Sequence, residues 1–140
     1  MAGTLDSVRF SLRYFALTLG IFALELFIAL VVRDRIIRPF VGDVLVVVLI
    51  YCFVRSFFAS RPAPTALAVF AFACLVELAQ YFELVARLEL QDNAILRTAI
   101  GTHFDPLDIL AYAVGTAVVM LAERRRRTRS GQATRRTPVP

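Results

Sequence analysis

Four long apolar stretches constrain this chain more than any other feature of its sequence. A helix needs about 20 mostly apolar residues to cross the hydrocarbon core of a bilayer, and four segments of the chain have about that length. They predict an all-α, polytopic membrane protein with four transmembrane helices in a compact bundle. The predicted spans are residues 14–32, 41–59, 63–82 and 105–122.

The composition excludes other classes of protein. Of the 140 residues, 59% are hydrophobic, against roughly 45–50% in soluble domains. A chain this short cannot hide so much apolar surface in one core, and it is too hydrophobic to be disordered as a whole. Two cysteines are too few for a disulfide scaffold. The first apolar stretch exceeds the roughly 7–15 residues of a secretory signal, so we expect it to be a span rather than a cleaved segment.

The segments between and after the spans give the domain organisation. Residues 94–100 are predicted to form a short interfacial helix between the third and fourth spans, with Asp92 or Asn93 as its N-cap and Gly101 at its end. Residues 1–122 then form the membrane domain. Residues 123–140 are predicted to form a disordered basic tail, because they are rich in polar residues and have no apolar periodicity.

The distribution of arginine predicts the orientation. All 16 basic residues are arginines. Four spans place both termini on one side, which collects eleven arginines against five on the other. The excess of basic residues predicts that both termini are cytoplasmic. The basic tail therefore indicates topology and attraction to membrane lipids rather than a nucleic-acid partner.

Polar side chains inside the spans mark a candidate site, because ionisable groups are costly in a bilayer. At about 1.5 Å of rise per residue, Glu77 and Asp108 lie at nearly equal depths, roughly 7–8 Å from the middle of their spans toward the outer face. Other polar groups lie slightly further out in the same layer. The residues predicted to bind a ligand are Arg38, Asp43, Glu77, Gln80, Arg97, Asp105, Asp108 and Tyr112.

Each acidic group also has a purely structural interpretation. The sequence Asp105-Pro-Leu-Asp108 is typical of a helix start, and Asp43 after Gly42 could equally cap a helix. Glu77 could pair with an arginine. Glu25, near the middle of the first span, could be hydrogen-bonded between helices.

Signatures of catalysis and of cofactor binding are missing from the sequence. His103 is the only histidine, and neither an H-x-x-x-H nor a C-x-x-C spacing accompanies it. The sequence has no glycine-rich phosphate loop and no nucleophile elbow. We therefore predict no metal and no cofactor, and an enzymatic function would rest on the carboxylates alone.

A series of short motifs runs along the membrane part of the chain. They are Arg38-Pro-Phe-Val-Gly-Asp43-Val-Leu45, Glu77-Leu-Ala-Gln80, Arg97, Gly101-Thr-His-Phe-Asp105, Asp108, Tyr112 and Gly115. Their order resembles the DUF2809 family, small bacterial membrane proteins of unknown function. The resemblance covers roughly residues 10–122 and implies a four-helix domain in a bacterial cell membrane with an outward polar site, without implying a reaction. The E-x-x-Q helix followed by Arg and D-x-x-D is more distantly similar to VanZ-like membrane proteins, which commonly have an Asn in the last helix where this chain has Tyr112.

Several functions are compatible with this pattern. The first is a binding module whose outward pocket holds the polar head group of a lipid or cell-envelope precursor. The second is a structural or assembly protein without a ligand. The third is a small proton-coupled transporter, which would have to form a homo-oligomer because four helices seldom enclose a conduit. The fourth is an enzyme that acts on a lipid head group.

Overall fold

The structure is a computed structural model that describes residues 8–83, 87, 89, 92–95 and 104–135. Within these residues the chain forms four long helices, and each is long and apolar enough to cross a membrane. The predicted all-α architecture with four membrane-length helices is confirmed. The helices are α1 (Leu12–Val31), α2 (Ile37–Phe57), α3 (Pro62–Tyr81) and α4 (Pro106–Arg135).

Aspartates positioned before two of the helices satisfy their first backbone N–H groups. The carboxylate Oδ1 of Asp34 accepts hydrogen bonds of 2.8 Å from the N–H groups of Ile36 and Ile37. The bonds from Ile37 and Ile36 lower the pKa of this exposed carboxyl. At α4, Oδ1 of Asp105 accepts the N–H of Leu107 at 2.9 Å, so the predicted helix start is present. The alternative that Asp43 caps a helix is wrong, because α2 already begins at Ile37.

Helix α2 lies at the centre of the packing. It contacts α1, α3 and α4, and α3 also packs against α4. Helix α1 packs against α2, and two of its 20 residues are buried, compared with five of 20 in α3. The described helices therefore form a three-helix unit of α2, α3 and α4 with α1 at its edge. Grooves lie along α1, and its exposed apolar side chains suit contact with lipid.

Gly115 allows α4 to approach α2 closely. A Cβ atom on Gly115 would lie 2.7 Å from the carbonyl oxygen of Val44 and 3.0 Å from the Cβ of Val47. These distances are too short for a side chain, so this close helix packing requires a glycine at position 115. Val47, which is buried, belongs to the apolar core that these helices share.

The fourth helix is longer than the sequence predicts. It continues to Arg135, whereas the predicted span ends at residue 122 and a disordered tail was expected from residue 123. The physical reason is that Glu, Arg and Ala favour a helix and no proline interrupts the segment before Pro138. Residues 136–140 lie outside the described residues. So does most of the predicted interfacial helix, although the N–H of Ile95 donates to Oδ1 of Asn93 at 3.1 Å, which suits an N-cap.

The alternation of the helices gives the molecule two distinct ends. We call the end where α1 and α3 finish and α2 and α4 begin the carboxylate end, because it carries Asp43, Glu77, Asp105 and Asp108. The opposite end, where α1 and α3 begin and α2 finishes, is the tyrosine end, named for Tyr14. Because every residue adds the same rise to a helix, residues of neighbouring helices that lie equally far from one end are at the same level and can meet.

Candidate functional site

The candidate site lies at the carboxylate end, where three helices each contribute an acidic side chain. Asp43 lies in the second turn of α2, Glu77 in the last turns of α3, and Asp108 in the first turn of α4. The Asp105 carboxyl lies next to them, before α4. These four carboxyls are therefore neighbours at one end of the helices.

Glu77 is the most deeply buried member of the cluster. Its side chain is 0% exposed, and its Oε1 accepts the backbone N–H of Asp105 at 2.8 Å. Its other oxygen, Oε2, is buried and accepts no hydrogen bond from the residues that the structure describes. The buried Tyr112 lies beside the same carboxyl. A wholly buried carboxyl oxygen without a donor is rare in folded proteins and is therefore a candidate acceptor for a ligand.

Asp43 and Asp108 join the cluster across the α2–α4 contact. Their carboxyl groups lie within hydrogen-bonding reach of each other. Both are half-buried rather than fully enclosed, so this part of the cluster remains accessible. The negative charges of Glu77 and Asp105 also act on Asp43. The result is a concentration of acidic groups that suits donors such as amines, amides or hydroxyls.

A cleft between α1 and α2 reaches this cluster through Asp43. The cleft has a volume of about 720 Å³, which is within the range of about 300–1,000 Å³ that is typical of ligand pockets. Glu25 of α1 and Asp43 of α2 lie in its wall, and most of its remaining inner surface is apolar. Three exposed arginines line it where α1 ends and α2 begins, namely Arg33, Arg35 and Arg38.

Glu25 lines the cleft. Its Oε1 is buried and has no hydrogen-bond partner among the described residues. The cleft thus combines buried acidic oxygens with basic side chains near its mouth. Such an arrangement can hold a group that carries both a positive and a negative charge.

The structure brings most of the predicted site residues to one end of the molecule. Asp43, Glu77, Asp105, Asp108 and Tyr112 are neighbours. Arg38 lines the adjoining cleft. Gln80 is half-buried one turn after Glu77 on α3. Arg97, which was expected to approach the carboxylates, lies outside the described residues, as does His103.

The described residues offer no metal centre. Among them, no group of three or more His, Cys, Asp or Glu side chains has an arrangement that could hold a metal ion. Cys52 and Cys74 are both free thiols.

Sequence analysis missed a polar network at the tyrosine end. Tyr14 donates to Oε1 of Glu123 at 2.6 Å, and Tyr51 donates to the same oxygen at 3.0 Å. The hydroxyl of Tyr14 also accepts hydrogen bonds from Arg55 at 3.2 Å and Arg126 at 2.9 Å. The network ties α1, α2 and α4 together. The guanidinium of Arg55 lies over the Tyr14 ring, 5.0 Å from its centroid.

The fold and the site define the class of this protein. It is an α-helical protein with four membrane-length helices and a polar cluster at one end. Its residues 32–116 match the family described as protein of unknown function DUF2809, and because they form more than half of the chain, the chain belongs to that family. No curated protein and no solved structure matches the chain significantly. The likeness to VanZ-like proteins stays a prediction.

Proposed function

We propose that this protein binds the polar head group of a lipid or cell-envelope precursor at the carboxylate end. The observation that carries the proposal is the position of Asp43, which lines the cleft between α1 and α2 and also contacts the carboxylate cluster. A head group that enters the cleft would therefore meet buried acceptors at its inner wall. The arginines of the cleft lie where α1 ends and α2 begins, which is the level of lipid head groups if these helices span the membrane.

The charges in the cleft favour a head group with two chemical features. Arg33, Arg35 and Arg38 suit a phosphate or carboxylate at the mouth of the cleft. Glu25 and Asp43 suit an amine, amide or hydroxyl deeper inside. The apolar part of the lining suits the first carbons of a lipid chain. These preferences correspond to an amphiphile with a phosphate and a hydrogen-bond donor.

A binding role is better supported than transport. A conduit needs polar groups through the thickness of the membrane. Between the two ends, the buried residues that α2, α3 and α4 share are mainly apolar or small, and Val47, Val69, Ala73 and Val119 are examples. The proposal places the protein in the bacterial cell membrane with the carboxylate end outward. Assembly without a ligand remains the second candidate, since the wide exposed apolar face of α1 could meet another membrane protein.

Native mass spectrometry of the full chain tests the proposal. The protein is purified from its membrane in mild detergent, and bound molecules are released and identified. We expect the wild type to retain a polar amphiphile, and Asp43→Asn and Glu77→Gln to lose most of it, because both remove charge and keep shape. Glu83→Gln is the matched control, since Glu83 is exposed and lies two residues after the end of the helix that carries Glu77.

Two results would contradict this function. One is a wild-type protein that retains no polar amphiphile. The other is that Asp43→Asn and Glu77→Gln retain as much of the amphiphile as the control Glu83→Gln retains. Circular dichroism of each variant establishes that its helices are intact, so that loss of the ligand is not loss of the fold.

A further inference from the structure

A second groove runs along α1 at the tyrosine end. It has a volume of about 560 Å³ and lies between α1 and the side chain of Arg126 on α4. Five residues of α1 between Ala16 and Leu24 line it, and they include Gly20. Its lining is mostly apolar, with the guanidinium groups of Arg13 and Arg126 at one end. It shares no lining residue with the cleft at the carboxylate end.

The dimensions of the groove match one leaflet of a bilayer. From Arg13 to Leu24 the helix rises by roughly 16 Å at 1.5 Å per residue. The hydrocarbon core of a bilayer is about 30 Å thick, so that one leaflet contributes about 15 Å. Arg13 lies in the first turn of α1, where the span begins. The groove therefore extends from the head-group level to about the middle of the membrane.

The charges at its end determine the kind of molecule that fits. Arg13 is exposed and makes no ion pair within the described part of the chain. Arg126 is held in place by its hydrogen bond to the Tyr14 hydroxyl and lies 3.8 Å from Glu123, so other N–H groups of its guanidinium remain free to bind an anion. Two guanidiniums above an apolar groove are complementary to a phosphate above an acyl chain.

We propose that this groove is a binding site for an anionic phospholipid. One acyl chain would lie along α1 against Gly20, and the phosphate would lie between Arg13 and Arg126. The missing side chain at Gly20 is part of the site, since a Cβ atom at this position would have no neighbour within 4 Å. The inference is independent of the proposed function, because the groove lies at the opposite end of the molecule.

Titration of the detergent-solubilised full chain with two lipids tests the proposal by native mass spectrometry. The probes are dioleoyl-phosphatidylglycerol, which is anionic, and dioleoyl-phosphatidylcholine, which is zwitterionic with the same chains. We expect the wild type to bind phosphatidylglycerol more tightly. Arg13→Gln should weaken the binding of phosphatidylglycerol about fivefold, the effect of one arginine near a membrane surface. Arg127→Gln, which changes an exposed arginine outside the groove, should have little effect.

A second variant tests the apolar part. Gly20→Leu extends a side chain from a residue that lines the groove, and its Cβ would meet no atom within 4 Å, so the helix should form at least as well as in the wild type. We expect it to weaken the binding of both lipids by about tenfold, because the acyl chain loses its buried surface. Ala71→Leu adds a comparable side chain to an exposed position of α3 that lines none of the described cavities, and it should bind like the wild type.

Three outcomes would overturn the proposal. Equal wild-type affinity for the two lipids would exclude recognition of the anionic head group. A Gly20→Leu variant that binds as tightly as Ala71→Leu would exclude the groove as the site of the chain. Arg13→Gln with the affinity of Arg127→Gln would exclude Arg13 from the phosphate site. Helical content measured by circular dichroism identifies any variant that fails to fold, and the remaining variant still decides the question.

Discussion

The backbone N–H of Asp105 donates a hydrogen bond of 2.8 Å to the buried carboxyl of Glu77. This bond joins the end of α3 to the start of α4, although the two residues are separated by a long connection. Asp105 in turn accepts the N–H of Leu107 through its side chain. The carboxylate of Glu77 thus holds Asp105, the residue that caps the start of α4. Glu77 therefore has a structural role in addition to its proposed role in binding.

This bond leads to different expectations for two substitutions of Glu77. Glu77→Gln keeps an oxygen that can accept the Asp105 N–H, so we expect the free energy of unfolding to stay within about 1 kcal/mol of the wild type. Glu77→Leu removes the acceptor and should destabilise by about 1–3 kcal/mol, because the N–H loses its partner. Thermal unfolding in detergent measures both effects. A Leu variant more stable than the wild type would show that burial of the carboxyl costs more than the bond contributes.

Gly115 provides a test of the α2–α4 contact. Gly115→Ala places a Cβ atom 2.7 Å from the carbonyl oxygen of Val44, and we expect a loss of about 1–3 kcal/mol from overpacking. Gly42→Ala on α2 is the matched control, since its Cβ would meet nothing within 4 Å, and it should gain up to about 1 kcal/mol of helix stability. Thermal unfolding of the two variants should move in opposite directions. Equal shifts in the two unfolding temperatures would mean that α2 and α4 are further apart at Gly115 than in the structure.

The hydroxyl of Tyr14 connects α1 to α2 and α4, so its removal should be costly. We expect Tyr14→Phe to destabilise by about 1–3 kcal/mol, since it removes bonds to Glu123, Arg55 and Arg126. Tyr51→Phe removes one bond to Glu123 and should cost about 1 kcal/mol. Both changes keep the aromatic ring. Chemical or thermal unfolding in detergent should rank Tyr14→Phe as the less stable, and the reverse order would contradict the central role of Tyr14.

The helices and the carboxylate layer could be predicted because they depend on local properties of the sequence. A run of about 20 apolar residues has one stable form in a bilayer. Helical rise then relates the depths of Glu77 and Asp108 without knowledge of the packing. Side-chain contacts across helices depend on rotation about the helix axes, which apolar periodicity does not fix in a lipid-exposed span. The bond between Glu77 and the Asp105 backbone could therefore not be predicted.

The tyrosine network was missed for a different reason. Tyr14 and Glu123 lie 109 residues apart in the chain, and Glu123 lies beyond the predicted end of the fourth span. A tyrosine near the end of an apolar run does not indicate a polar network by itself, because tyrosine is also common at the membrane interface. The available signal was the shared depth of Tyr14, Arg55 and Glu123 at one end of the bundle. That signal becomes visible once α4 is known to continue past Ala122.

Two truncated chains distinguish what the tyrosine-end network contributes to stability from what the rest of α4 beyond residue 122 contributes. A chain ending after Arg127 keeps Glu123 and Arg126, so we expect its thermal stability to match that of the full chain. A chain ending after Glu123 loses the bond from Arg126 to Tyr14 and should be less stable by about 1.5–3 kcal/mol, the contribution typical of a hydrogen bond from a charged group. Both should retain α1–α3. If the chain that ends after Arg127 unfolds at a lower temperature than the full chain, residues beyond Arg127 pack against the membrane domain.

The orientation of the protein can be tested with a reporter that is active only outside the cytoplasm. Fused after Pro140 it should be silent, and inserted between residues 83 and 104 it should be active, because the side with both termini carries eleven arginines against five. Replacing the seven arginines of the tail with glutamine leaves four against five. We therefore expect that variant to insert in both orientations, with partial activity at both fusion sites. A reporter after Pro140 that is active in the wild type would reverse the orientation, and the carboxylate end would then face the cytoplasm.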